Sequence, residues 1–180
     1  MLIRALAALS VTALCTASFV QILRPSVPRL LYNPSPSAPI GWYRLRPDAA
    51  INRGDLVAAF APESGALMAI ERDYLPPNIP LIKTVWAAHG ETICHENGQL
   101  LVQGRPALLV LKHDALGRDL PSRDGCYVLS KDDVFLVSTD VQTSFDSRYF
   151  GPVALENVLG SVKYLGQFKS QSERRKAGRG

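Results

Sequence analysis

The chain has little sulfur and little imidazole: three Cys, two Met and three His in 180 residues. None of the histidines, His89, His95 or His113, stands in a Gly-x-Ser-x-Gly context, so the pattern of a Ser-His-Asp hydrolase is missing. Cys94 and Cys126 lack CxxC spacing, and His89 and His95 bring no second ligand pair, which argues against a metal centre. All three histidines read instead as surface or turn residues. The 13 Gly and 13 Pro follow no short period, which excludes collagen-like and low-complexity architectures. Internal repeats and long amphipathic helices are absent too. With 47% hydrophobic and 20% charged residues, the composition excludes disorder throughout and fits one globular domain.

Net charge is missing everywhere but at one end. The formal charge of +4 is matched by residues 169–180 alone, where Lys169, Arg174, Arg175, Lys176 and Arg179 accompany the acid Glu173. The basic balance therefore describes a tail and not a nucleic-acid-binding domain. Such a tail has almost nothing apolar to bury and is expected to be disordered, either solvated or touching anionic lipid or a partner.

Apolar residues are concentrated at the start. Residues 5–23 carry no charge and are bounded by Arg4 and Arg24. The stretch reaches the length of roughly 17–25 residues that spans a bilayer as a helix. Two readings fit. A secretory signal would be cut after Cys15-Thr16-Ala17, whereas an uncleaved anchor would hold residues 1–24 in the membrane, with Arg24 and Arg29 beyond it. Leu14 is too large for the position before a lipoprotein cysteine, so Cys15 is not read as a lipidation site. Either way the remainder is expected to be exported, where Cys94 and Cys126 suggest one disulfide.

Pro25, Pro28, Pro34, Pro36 and Pro39 exclude a helix and predict an extended run. Residues 54–60 read as a turn feeding a strand, and residues 66–75 as a short helix stopped by Pro76 and Pro77. Leu81–Ala87 is rich in β-branched and aromatic residues and reads as a strand. Asn97-Gly98, between two more such runs, signals a hairpin. Further strands are expected at 125–130, 134–138 and 160–165. Together these predict a mainly β, antiparallel, barrel-like or sandwich domain with one or two short helices over residues 25–168.

A serine can be activated by a lysine, because a neutral amine accepts the hydroxyl proton whereas an ammonium cannot. Lys83 has an apolar setting for this: on a strand it would share a face with Leu81 and Val85. The serine candidate lies in Asn33-Pro34-Ser35-Pro36-Ser37-Ala38-Pro39, where prolines of fixed φ would hold Ser37 on an extended strand. A third cluster is Ser144-Phe145-Asp146-Ser147-Arg148-Tyr149-Phe150-Gly151. On an extended segment Asp146 and Arg148 would pair on one face, with Ser144 on the same side. Each cluster taken alone has a plainer reading: an edge-strand lysine reaching water, a linker, a surface turn.

Taken in order, the clusters resemble the S26 family of Ser-Lys signal peptidases, and most of all its conjugal-transfer branch, the TraF-type peptidases of plasmid mating systems. The resemblance runs from Asn33 to Pro152. Asn33, Ser35, Ser37, Pro39, Gly41 and Tyr43 meet the serine box; Gly54-Asp55-Leu56-Val57 meets the intervening strand box; Leu81-Ile82-Lys83-Thr84-Val85 with Gly90 meets the lysine box. Ala38 stands where general signal peptidases carry methionine, and Ser138-Thr139-Asp140-Val141 replaces their Gly-Asp-Asn-Arg lead to the last box. Both departures favour the specialised branch.

The resemblance implies a signal-peptidase-like β-domain with Ser37 as nucleophile and Lys83 as general base. It implies the Ser35 hydroxyl and Ser37 amide as oxyanion donors, Ser144 orienting the Lys83 amine, and Asp146 holding its segment by pairing with Arg148. Neither cofactor nor metal is expected. The resemblance further implies a periplasmic catalytic domain at the outer face of the inner membrane, working beside other conjugation-apparatus proteins. Its expected substrate is a pilin precursor, cut and then joined into a ring, with shallow apolar pockets near Ser37. Two other readings stay open: a general processing signal peptidase, and a non-enzymatic pilin-binding component of the same apparatus.

Overall fold

The structure, a computed structural model, describes residues 28–102 and 105–167. The apolar stretch at 5–23 and the basic tail at 169–180 lie outside the described residues. In chain order the elements are β1 (Leu30–Asn33), β2 (Gly41–Arg46), β3 (Leu56–Ala59), α1 (Glu63–Glu71), β4 (Leu81–Ala87), β5 (Thr92–Glu96), β6 (Gln99–Val102) and β7 (Leu108–Leu109). They continue with β8 (Gly125–Val128), β9 (Asp133–Val137), α2 (Ser147–Phe150), β10 (Val153–Ala154) and β11 (Val158–Gly166). The domain is mainly β and antiparallel, as expected from the sequence.

The strands form two sheets. The larger is ordered β1-β2-β11-β3-β4-β9-β10, and the smaller β7-β6-β5-β8 is built from chain inserted between β4 and β9. Side-chain alternation explains how the larger sheet is covered on both faces. Val57 and Ala59 of β3 join one apolar cluster with Leu81, Val85 and Leu136, while Ala58 joins another with Tyr43, Leu45 and Ile82. A third cluster, centred on Trp86, Ile93, Leu100 and Phe135, fastens the smaller sheet to β4 and β9. Each fully buried aliphatic or aromatic side chain contributes about 1.5–3 kcal/mol by leaving water, so these three clusters carry the fold.

Local signals and tertiary packing agree at the β5–β6 hairpin. Asn97 and Gly98 both take positive φ, 52° and 73°, as a two-residue turn of matching twist requires. At Gly41, the entry to β2, a Cβ would come within 2.6 Å of the Gly166 carbonyl oxygen. Only glycine lets β2 approach β11 this closely, and that contact places the loop preceding Gly41.

Three expectations are corrected. The helix runs over Glu63–Glu71 and not 66–75: Glu63 favours its N-terminal end, and Asp73 at φ 55° turns the chain before the prolines act. Ser37 is not on a strand; it sits in the turn joining β1 to β2, because a proline-rich stretch supplies too few amide donors for a ladder. His95 is not a surface residue. At 3% exposure it lies on β5 with its ring stacked on Tyr127, because the β8 partner opposite it, Gly125, has no side chain to displace it. The expected disulfide is present: Cys94 and Cys126, directly paired on β5 and β8, are joined.

Candidate active site

The β1–β2 loop is tied by one side chain. Asn33, 6% exposed, donates its amide to the Ser35, Ala38 and Pro39 carbonyls at 2.8, 3.0 and 3.3 Å and accepts from the Ser35 amide at 3.1 Å. The Tyr43 hydroxyl adds a 2.6 Å bond to the Pro39 carbonyl from β2. The prolines remove amide donors and fix φ, and Asn33 and Tyr43 collect the carbonyls left over. Ser37 is therefore held by a scaffold, though within a turn.

Lys83 is the unusual residue of β4. The strand is buried on both faces, and Lys83 is 2% exposed, on the Leu81 and Val85 side as its alternation predicts. Its amine donates to the Ser144 hydroxyl at 2.7 Å and the Ser138 hydroxyl at 3.0 Å. Burial disfavours the ammonium and brings its pKa down to about 8; Asp146 opposes that shift and Arg148 adds to it. A neutral amine that spends both hydrogens on two serines keeps its lone pair free to accept a proton.

Ser37 and Lys83 line one cavity of about 280 Å³. No direct hydrogen bond joins their side chains; the link runs through Ser138, whose hydroxyl accepts from the Lys83 amine and donates to the Ser37 carbonyl at 2.7 Å. The Ser37 amide donates to the Ser35 hydroxyl at 3.3 Å, and that hydroxyl donates to Ser37 Oγ at 3.1 Å. The two expected oxyanion donors thus engage each other and Ser37.

Asp146 and Arg148 pair as expected, but not on an extended segment. Asp146 caps α2, accepting from the Arg148 amide at 3.3 Å, and the guanidinium in the first turn folds back on the carboxylate with bonds of 2.8 and 2.9 Å. A β-period reading put these residues on one strand face; the helix begins between them because the Asp146 carboxylate satisfies one of its free amides. Asp146 also accepts the Ser138 amide at 3.1 Å. Arg148, 2% exposed, spends its remaining donors on the carbonyls of Leu109, Val141, Gln142 and Ser144. A buried guanidinium with every donor used is a structural tie that fixes the loop presenting Ser144 to Lys83.

Sequence reasoning missed Ser138. It was legible only as a departure from the general signal-peptidase pattern, yet it directly follows β9 and touches both Lys83 and Ser37. The structure thus gathers Ser35, Ser37, Lys83, Ser138, Ser144, Asp146 and Arg148 into one connected polar network, whereas Cys94 and Cys126 sit apart in the smaller sheet.

Comparison with known proteins gives this network a family. The family model described as "Signal peptidase, peptidase S26" matches residues 2–165. The chain belongs to the S26 signal peptidase family. This S26 member is 30% identical over 141 residues to the plasmid transfer protein TraF of Escherichia coli, covering 73% of this chain and 79% of that one. It is 36% identical over 143 residues to a probable conjugal transfer protein TraF of Sinorhizobium fredii, covering 71% and 72%. A crystal structure of a signal peptidase I from Enterococcus faecalis superposes with a TM-score of 0.39 at 19% identity, covering 64% of this chain and 98% of that one. Family membership supports a serine peptidase, with relatives named for conjugal transfer.

Proposed function

We propose that this S26 member is an exported serine endopeptidase and transpeptidase of a plasmid conjugation system, using Ser37 as nucleophile and Lys83 as base. The observation that carries the reading is the buried Lys83 amine, its pKa brought down to about 8, in the same cavity as Ser37. In the first step the Ser37 hydroxyl gives its proton to the neutral amine and its oxygen attacks a peptide carbonyl. The Ser35 hydroxyl and Ser37 amide turn from each other to the developing oxyanion. The C–N bond breaks, the leaving nitrogen takes the proton from Lys83, and an acyl-enzyme remains on Ser37. Water attacking the ester yields a linear product; a substrate amine attacking it yields a new peptide bond and regenerates the Ser37 hydroxyl.

The substrate proposed is a mating-pilus subunit precursor, whose own N-terminal amine closes the ring. The relatives named for plasmid and conjugal transfer support this choice. The proposed location is the periplasmic face of the inner membrane, with residues 1–24 as signal or anchor and other transfer proteins nearby.

Intact-mass measurement of the pilin precursor after incubation with the detergent-solubilised chain tests this. A truncated product lighter by one further water, absent with Ser37→Ala and with Lys83→Ala, is the expected result. A truncated product of unaltered linear mass reduces the activity to processing. No product from any pilin precursor overturns the peptidase reading and favours a pilin-binding component.

A further inference from the structure

We propose that His95 is the trigger of an acid-sensing latch: on protonation the segment at 123–125 swings away from β5, and the Arg123 guanidinium leaves the C-terminal end of α2. The movement is read without turnover, so it stands or falls apart from the peptidase reading.

Among the described residues, the buried side-chain polar atoms without a hydrogen-bond partner are the two ring nitrogens of His95 and the Tyr127 hydroxyl. The two rings stack with centroids 6.3 Å apart, so the unmet groups share one place in the smaller sheet. Native folds keep few unmet polar groups, and several at one place call for a reason. Protonation makes both His95 nitrogens donors, leaving two donors with no acceptor and a charge withdrawn from water. The surroundings favour the neutral ring. Leu100 lies opposite on β6, and Tyr127 on β8 stays neutral because burial pushes its pKa up to about 12. Glu96 lies on the other face of β5, beside Cys126, and Asp133 of β9 acts on Tyr127. Burial is the main reason that the His95 pKa is lowered; Arg123, just before β8, adds to it more than its neighbour Asp124 opposes it.

Water can satisfy the charged ring, and the fold offers one way to reach it. His95 is paired with Gly125, the first residue of β8. At the adjacent pair the Cys94–Cys126 disulfide ties β8 to β5, so the rest of β8 stays in place. The chain before Cys126 is free to move. Gly125, at φ 98°, turns without the cost that a Cβ imposes. The disulfide is therefore the fixed side of a hinge, and Gly125 its pivot.

The moving side carries a clasp. Arg123 donates to the Phe150 carbonyl at 3.3 Å, and a Cβ at Gly151 would come within 3.3 Å of its guanidinium, so that group lies directly against the end of α2. At the other end of the helix, Asp146 and Arg148 pair, and Arg148 holds the Ser144 carbonyl beside Lys83. A proton on His95 repels Arg123, and the clasp leaves with the segment that covers the ring. The smaller sheet thereby senses acid, and the helix beside the active site responds.

The test is amide hydrogen exchange by mass spectrometry on the full chain in detergent, disulfide intact, at pH 7.5, 6 and 5, with each rate corrected for intrinsic chemistry. In the wild type, opening of β5 and of residues 147–151 is expected to rise together below pH 6.5, by up to ~10-fold per pH unit, as uptake of one proton requires. His95→Leu and His95→Phe should remove both rises. Arg123→Gln should keep the rise in β5 and leave exchange at 147–151 independent of pH. Flat wild-type exchange, an acid rise kept in both His95 variants, or a rise at 147–151 kept in Arg123→Gln overturns the latch. Should neither His95 variant fold, magnetic-resonance titration of the His95 ring in the wild type decides: a midpoint below 6.5 upholds the latch, and one at or above 6.5 overturns it.

Discussion

Ser138 donates its hydroxyl to the Ser37 carbonyl at 2.7 Å while accepting from the Lys83 amine. A single hydroxyl thereby connects the β1–β2 turn, the buried strand β4 and the end of β9. Its own amide is held by Asp146, which Arg148 holds in turn, so the position of Ser37 relative to Lys83 depends on the α2 segment.

Removing that link separates positioning from chemistry. Ser138→Ala is expected to lower kcat by ~10- to 100-fold, because small displacements of reacting groups cost that much. Ser138→Thr, which keeps the hydroxyl, should recover much of the activity. Steady-state kinetics on a cleaved peptide decides, and an unchanged kcat would show that Ser138 is not needed.

Lys83 must be neutral to accept a proton, and burial brings its pKa down to about 8. The value of kcat/KM should therefore rise with pH and level off above about 8, falling tenfold per pH unit well below it. Lys83→Arg, always charged, should be inactive across the range. A pH profile flat between 6 and 9 would sink the assignment of Lys83 as base.

The same burial destabilises the fold. The Lys83 pKa is lower folded than unfolded, so between about 8 and 10.5 the unfolded chain holds the extra proton, and stability rises with pH across that window. Below about 8 the full cost is present. Lys83→Met is therefore expected to abolish activity and raise stability at pH 7 by roughly 1–3 kcal/mol. Thermal melts of both proteins at pH 7 and pH 10 give the sign, and the gap between them should shrink at the higher pH.

His95 creates the corresponding weakness in acid. Neither ring nitrogen has a hydrogen-bond partner, and burial, reinforced by Arg123 and partly offset by Asp124, lowers its pKa. A neutral His95 contributes stability above its unfolded pKa of 6.5, and this is lost as pH falls toward the lower folded value. The urea midpoint should drop between pH 7.5 and 5, and His95→Leu should flatten that drop. An identical drop in the variant would assign the acid sensitivity elsewhere.

Cys94 and Cys126, 32 residues apart, pair across β5 and β8. Reduction, or Cys94→Ser with Cys126→Ser, is expected to cost about 3–4 kcal/mol through the loop freed in the unfolded chain. Differential melting with and without reductant measures it. Because the bridge lies in the smaller sheet, away from Ser37 and Lys83, the folded reduced protein should retain its activity.

Much of the fold was legible. Leu81–Ala87 announced a strand through its β-branched run, and Asn97-Gly98 announced its hairpin, because each signal acts within a few residues. Lys83 stood out by the same logic, as a charge in an apolar strand. The turn at Ser37 and the helix at Ser147–Phe150 were misread as extended because proline content and alternate polar residues fit a strand equally well. Side-chain ties from Asn33, and the cap from Asp146, decided otherwise. His95 was misplaced because burial of an unpartnered ring depends on the sheet packed around it.

By itself the sequence determined the β character of the domain, the three clusters of chemistry and their family. Each of these is written in residue types at short spacing. Only the tertiary structure decided that Ser138 joins the network and that Lys83 is withdrawn from water. Desolvation and convergence are properties of what surrounds a side chain, and here those surroundings come from strands, turns and loops far apart along the chain.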